Sequence, residues 1–401
     1  MFAATGVAAG PGDLKIGGMW PLTGPLAPFG GPAQKAASLG VDQVNAAAKS
    51  ANIDLNVSIV NGDSQTDPKG AQALATKLVD SDGVKCIAGP MATSEVTSAA
   101  QNVTVDAGVP VISPSSTAVT LREAVKQKGL VFRLPATDDL QAQILSQQAK
   151  AAFGKGPVAV VGQNDAYGTG LIKEFTKSWK AQGGKISSST TFNVGATSYD
   201  SEAGKIVKGS PKGFVIFTFP GDFKTLSAAL LRTGKWNPAK TFGTDGVRDK
   251  TLPKLVGKKG SEGMRGTVAS TKGGPLDPQF NQLWNQNNLG TRQTYDAQSF
   301  DAAVLCALAA VRANSTDPSK IAAQVRNVAS PPGQKFTFQQ LPDALKAAAA
   351  GQDIDYQGAA GNIDLASTDD PTGGKFTTWV YKGGKLVDNP KVYTAKPAGK
   401  S

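Results

Sequence analysis

Four stretches of the chain carry side chains that could meet a small polar solute. Gly89-Pro90-Met91-Ala92-Thr93-Ser94 sets two hydroxyls where an apolar run gives way to helical periodicity, and the first turn of a helix offers N–H groups to an anion. An N-cap role for Thr93 or Ser94 explains the same residues equally well. Ser113-Pro114-Ser115-Ser116-Thr117 supplies more hydroxyls on a Pro-stiffened loop, where a plain turn is the commoner use. Gly243-Thr244-Asp245-Gly246 brings a single carboxylate, and an Asp before Gly is usually a turn residue. Trp20, Phe29, Tyr167 and Phe219 are aromatics in or beside loops, where core packing is the default role.

Much other chemistry is excluded. The 401 residues include no histidine, so histidine-based triads, general bases and metal sites are ruled out. The two cysteines, Cys86 and Cys306, are too few and too far apart for a zinc cluster, which leaves a disulfide or two buried thiols. Tyr167-Gly168-Thr169-Gly170 lacks the third glycine of a dinucleotide fingerprint. No Walker A, no Gly-x-Ser-x-Gly and no close carboxylate pair at a strand end occurs. The expectation is a protein that is not an enzyme and needs no cofactor. The net charge of +11 is spread along the chain without a basic run, which argues against nucleic acid as partner.

The elements that must position these loops follow a repeating rhythm. Leu14–Gly18 reads as a strand, Ala37, Val41, Val44 and Ala48 stripe a helix, and Ile53, Leu55, Val57 and Ile59 alternate as a half-buried strand should. Asp67-Pro68 pairs an N-cap with Pro at the first helical position, and Ala71, Leu74, Ala75, Leu78 and Val79 follow at helical spacing. Strands at Val84–Ala88 and Val109–Ile112 flank a further helix. After Phe132-Arg133-Leu134-Pro135 the rhythm restarts: helix Asp138–Phe153, strand Val158–Val161, a helix with Leu171, Phe175 and Trp179, strand Phe214–Phe217, helix Phe223–Arg232 and strand Thr241–Gly243. Two such βαβα blocks mean two parallel-sheet lobes. A strand near Thr267–Ala269, helices at Asp277–Asn287, Tyr295–Arg312 and Pro318–Val328, and a hairpin around Gly383-Gly384 complete the chain. No stretch reaches the roughly 18 apolar residues of a membrane span. The start has neither a basic nor an apolar signal region, so any export signal is expected to have been removed or never present. Residues 1–12 and 394–401 are expected to be loosely ordered tails.

These residues resemble the type I extracytoplasmic solute-binding proteins of the leucine/isoleucine/valine-binding kind, receptor components of ABC importers. The likeness runs from about Asp13 to Val387 and rests on Pro21-Leu22-Thr23-Gly24-Pro25 with Phe29-Gly30, Asp67-Pro68-Lys69, Gly89-Pro90, Gly108-Val109-Pro110-Val111-Ile112-Ser113-Pro114, Phe132-Arg133, Tyr167-Gly168 and Asp353-Ile354-Asp355-Tyr356-Gln357-Gly358. The resemblance implies an α/β fold of two Rossmann-like lobes with parallel sheets, joined by three hinge crossings: the type I periplasmic binding protein fold. It puts the crossings near Leu134–Asp138, Met264–Thr267 and Gly358–Asp364. One lobe would then hold 13–135 and 266–357, the other 136–265 and 358–393.

By the same resemblance a solute carboxylate meets Ser94 (or Thr93, since this loop is a residue longer), Ser115 and Thr117, and a solute ammonium meets Asp245. Tyr167, Phe29, Phe219 and Trp20 complete the implied ligand-binding set. Two departures stand out. Phe219 lacks the phenol oxygen some relatives carry, so a cation there would meet a ring face, and Ser64–Asp67 supplies no partner for Cys86 in the disulfide expected near the substrate loop. The implied function is an extracytoplasmic monomer that closes on an amino acid or similar solute and hands it to a permease. A ligand-sensing regulator of the same fold is the alternative.

Overall fold

The computed structural model describes residues 8–126, 128–269 and 276–395. The first block comprises β1 (Ala8–Trp20), α1 (Ala27–Ala51), β2 (Ile53–Asp63), α2 (Pro68–Thr76), β3 (Cys86–Ala88), α3 (Thr93–Ala99), β4 (Val111–Ser113), the single turn α4 (Leu121–Ala124) and β5 (Val131–Arg133). The second comprises α5 (Asp138–Phe153), β6 (Pro157–Gln163), α6 (Ala166–Ala181), β7 (Lys185–Phe192), α7 (Asp200–Ile206), β8 (Gly213–Phe217), α8 (Pro220–Arg232), β9 (Thr241–Gly243), α9 (Leu252–Ser261) and β10 (Arg265–Ala269). Then follow α10 (Asp277–Gln286), α11 (Asp296–Ala313), α12 (Pro318–Ala329), β11 (Gln334–Thr337), α13 (Leu341–Ala349), β12 (Ile354–Gly358), β13 (Gly361–Asn362), β14 (Gly374–Lys382) and β15 (Lys385–Ala395).

Local chemistry fixes the ends of several helices. Asp67, Asp165 and Asp317 each accept a backbone N–H in the first turn of α2, α6 and α12, as N-caps do. The apolar run of α11 is buried from Asp296 to Val311, because α1, α12, α13 and the first sheet all pack against it. At the hairpin, Gly383 and Gly384 both have positive φ, 61° and 73°, the backbone that a tight two-residue connection demands.

Two sheets define two lobes. A parallel five-stranded sheet in the order β2-β1-β3-β4-β5 forms the first, and a seven-stranded sheet in the order β15-β14-β10-β9-β8-β6-β7 the second. A small third sheet joins β11, β12 and β13. α10 and α11 return to the first lobe, where Phe280 packs edge-on to Phe300 and Phe338. Cys86 of β3 and Cys306 of α11 are disulfide-bonded, with Cα atoms 5.9 Å apart, which settles the choice that their spacing left open.

Several boundaries fall elsewhere than the resemblance implied. Residues 266–269 belong to the second lobe, since β10 pairs in parallel with β9 and antiparallel with β14; the passage to the first lobe comes after Ala269. Residues 358–371 stay with the first lobe. Asp370 accepts from Arg122 and Arg133 at 2.8 and 2.6 Å, and Asp369 accepts from the Gly129 N–H and pairs with Arg326. The last crossing therefore lies just before β14. The described parts of the supposed tails extend the sheets: Ala8–Gly12 belong to β1, and Thr394 and Ala395 pair with Lys375 and Gly374, while 1–7 and 396–401 lie outside the described residues. A free strand edge alongside β2 and β14 recruits these backbones into ladders that composition did not reveal.

Candidate functional site

The loops after β1, β3 and β4 of the first lobe face those after β6, β8 and β9 of the second. Between them lies a cavity lined from both lobes, at the carboxyl ends of parallel strands where open α/β sheets place ligands. Leu26, Phe29, Met91, Ala92, Thr93, Ser115 and Tyr295 line it from one side, and Tyr167, Phe219, Asp245 and Gly246 from the other.

The serine-rich loop after β4 is laced to the loop after β3 by three hydroxyls. Ser113 donates to the Pro90 carbonyl at 2.8 Å, Ser115 to the Met91 carbonyl at 2.8 Å, and Ser116 to Thr93 Oγ1 at 3.1 Å. These bonds tie the two loops to each other. Thr93 Oγ1 also accepts from the Ala118 N–H at 3.4 Å. Glu95 supports the same corner from behind, its carboxylate accepting the Ala92 N–H at 2.9 Å. Burial pushes the Glu95 carboxyl up to about 7, against hydrogen bonds that favour the ionised form.

On the opposite wall the Tyr167 ring stacks on Phe219, centroids 5.1 Å apart. Its phenol shares a 2.7 Å hydrogen bond with Thr244 Oγ1 and accepts the Gly246 N–H at 3.2 Å. This network anchors the turn that carries Asp245. Burial pushes the Asp245 carboxyl up to about 6, while Gln141, Tyr295 and Tyr167 favour its ionised form. Its Oδ1 is buried without a hydrogen-bond partner. Behind it, Asp138 is wholly buried, and burial together with the neighbouring Asp245 charge holds its carboxyl well above the usual range. Among the residues lining the cavity, Asp245 is the one charged side chain.

Six of the implied residues thus meet at one cavity: Phe29, Thr93, Ser115, Tyr167, Phe219 and Asp245. Three do not line it. Trp20 is a buried core residue whose indole donates to Asn61 Oδ1 at 2.7 Å. Ser94 is the half-buried second residue of α3, so in the longer loop Thr93 takes the lining position. Thr117 is buried beside Asp138. The implied set omitted Leu26, Met91, Ala92, Gly246 and Tyr295; Met91, Ala92 and Gly246 lie within the loops already singled out, whereas Leu26 and Tyr295 have no polar motif to mark them. Tyr295 enters α11 with a φ of 70°, a left-handed backbone that no sequence rule assigns to tyrosine.

A sequence pattern described as "Periplasmic binding protein" matches residues 13–352. The chain belongs to that family. This periplasmic binding protein is 27% identical over 346 residues to the leucine-, isoleucine-, valine-, threonine- and alanine-binding protein of Pseudomonas aeruginosa, covering 85% of this chain and 89% of that one. It is 26% identical over 318 residues to Leu/Ile/Val-binding protein homolog 1 of Brucella abortus, covering 77% and 81%. Its fold resembles that of the branched-chain amino acid transporter substrate binding protein LivJ of Streptococcus pneumoniae, solved with isoleucine, at a TM-score of 0.76, 20% identity and coverage of 96% and 100%. A Rhodopseudomonas palustris solute-binding protein solved with 4-hydroxybenzoate gives 0.74 at 18% identity and coverage of 96% and 98%. Membership of a family of binding proteins makes this chain a solute-binding protein of the type I fold and not an enzyme.

Proposed function

We propose that the protein binds an α-amino acid with an apolar side chain in the inter-lobe cleft, outside the cytoplasm, and delivers it as a monomer to the permease of an ABC importer. The observation that carries this reading is Asp245, the one charged side chain on the cavity wall. An ionised carboxylate in a buried site calls for a cation, and a solute ammonium within hydrogen-bond reach supplies it. Thr93 accepts from Ser116 and Ala118, which leaves its own proton for a solute oxygen. The first-turn N–H groups of α3, ahead of the helix's internal ladder, can join it on the solute carboxylate. Leu26, Phe29, Met91 and the Tyr167–Phe219 stack surround the rest of the cavity with apolar surface, suited to an aliphatic or aromatic side chain.

The rival solute is an aromatic acid such as the 4-hydroxybenzoate with which the Rhodopseudomonas palustris protein was solved. No lysine or arginine lines the cavity to balance its carboxylate, and Asp245 would repel it. A thermal-shift screen with calorimetric follow-up decides between the two. Leucine, isoleucine, valine or phenylalanine at 100 times its dissociation constant should add about 2.7 kcal/mol of stability, whereas benzoate and 4-hydroxybenzoate should leave the melting temperature unmoved. Tighter binding of any solute without an ammonium group overturns the reading.

A further inference from the structure

The two lobes touch by backbone at the mouth of the cleft. The Gly221 N–H, in the first turn of α8, donates to the Pro25 carbonyl at 3.1 Å. A Cβ placed on Gly221 would lie 2.8 Å from the Pro25 Cα and 3.4 Å from its Cβ, and real side chains do not approach backbone atoms that closely. Gly221 has no positive φ, and alanine is the better helix former, so α8 itself gives no reason for glycine here. The reason lies across the cleft.

We propose that Pro25 and Gly221 form a closing latch, and that Gly221 is the residue that lets the lobes shut fully over the solute. Each half is braced within its own lobe. On the Pro25 side, Thr66 Oγ1 accepts the Leu26 N–H at 3.1 Å and donates to the Thr23 carbonyl at 3.2 Å. On the Gly221 side, Asp222 accepts the Gly195 N–H at 2.8 Å and the Tyr199 hydroxyl at 2.7 Å. The latch therefore reads the distance between rigid bodies. Pro25 immediately precedes the lining residue Leu26, and Gly221 stands two residues after the lining residue Phe219. A solute that draws Leu26 and Phe29 toward Phe219 brings the latch atoms together. The proposal rests on the binding cleft proposed above and adds what holds it shut.

Two variants test it. Gly221→Ala should fold with an unliganded melting temperature equal to or above the parent's, yet bind leucine at least tenfold more weakly and show a smaller ligand-induced fall in radius of gyration. A merely structural glycine would instead lose stability along with affinity, and parent-like affinity in a well-folded Gly221→Ala overturns the latch. The double variant P25C/G221C places two Cβ atoms within the reach of a disulfide, and oxidation should cross-link it in buffer alone, faster with leucine. If no amino acid binds the parent, the proposed solute is wrong while cross-linking in buffer still supports the latch. Absence of the link with and without leucine overturns it.

Discussion

Replacing Asp245 with asparagine keeps the size of the side chain and removes its charge. In the closed cleft this carboxylate is buried, its Oδ1 has no hydrogen-bond partner, and no other charged group lines the cavity. Truncating one member of such a desolvated charge pair costs about 2 to 5 kcal/mol, or roughly 30-fold to several thousand-fold in affinity for an amino acid. With its carboxyl pushed up to about 6, Asp245 is almost wholly ionised at pH 7.5, so calorimetry at that pH reads the full effect. The same value gives a second arm. Below pH 6 the parent must give up the Asp245 proton to hold an ammonium, so its affinity should fall about tenfold for each further unit of pH, while Asp245→Asn should be flat between pH 5 and 7.5. A Kd within threefold of the parent's, or an unchanged pH profile, would refute the charge-pair argument.

Tyr295→Phe should move the pH midpoint of affinity upward, because the phenol favours the ionised form of Asp245; titrating Kd against pH checks it. Glu95 binds its proton more tightly folded than unfolded, since burial raises its carboxyl to about 7. Its contribution to stability is therefore present below the unfolded value near 4.5 and lost as pH rises through 7. The melting temperature of Glu95→Gln should accordingly fall less than the parent's between pH 5 and 8. Removing the Cys86–Cys306 bond by a double alanine substitution should cost about 2 to 4 kcal/mol, seen in denaturant unfolding. The unreduced parent should show no titratable thiol after denaturation.

The ordered motifs between about Asp13 and Val387 carry the resemblance, and strand-end logic alone picks out the loops after β3, β4 and β9. Six of the nine implied residues line one cavity because their motifs sit at the carboxyl ends of parallel strands, a placement set by chain order. Where the loop is a residue longer, motif transfer left Ser94 and Thr93 both open, and only the structure puts Thr93, not Ser94, on the cavity wall. Tyr295 lies 50 residues from Asp245 in sequence, and no local pattern joins them.

The amino-acid sequence by itself determined the class of elements, their alternation into two blocks and the lack of imidazole chemistry, because hydrophobic period and residue type are local properties. Tertiary structure decided the rest. The choice between disulfide and free thiols for Cys86 and Cys306, the membership of β10 and residues 358–371 in their lobes, and the double use of the serine-rich loop as lacing and as lining all depend on which distant surfaces meet. Gly221 is the plainest case: within α8 it has no evident purpose, and only the Pro25 backbone of the opposite lobe, 2.8 Å from where its Cβ would stand, gives it one.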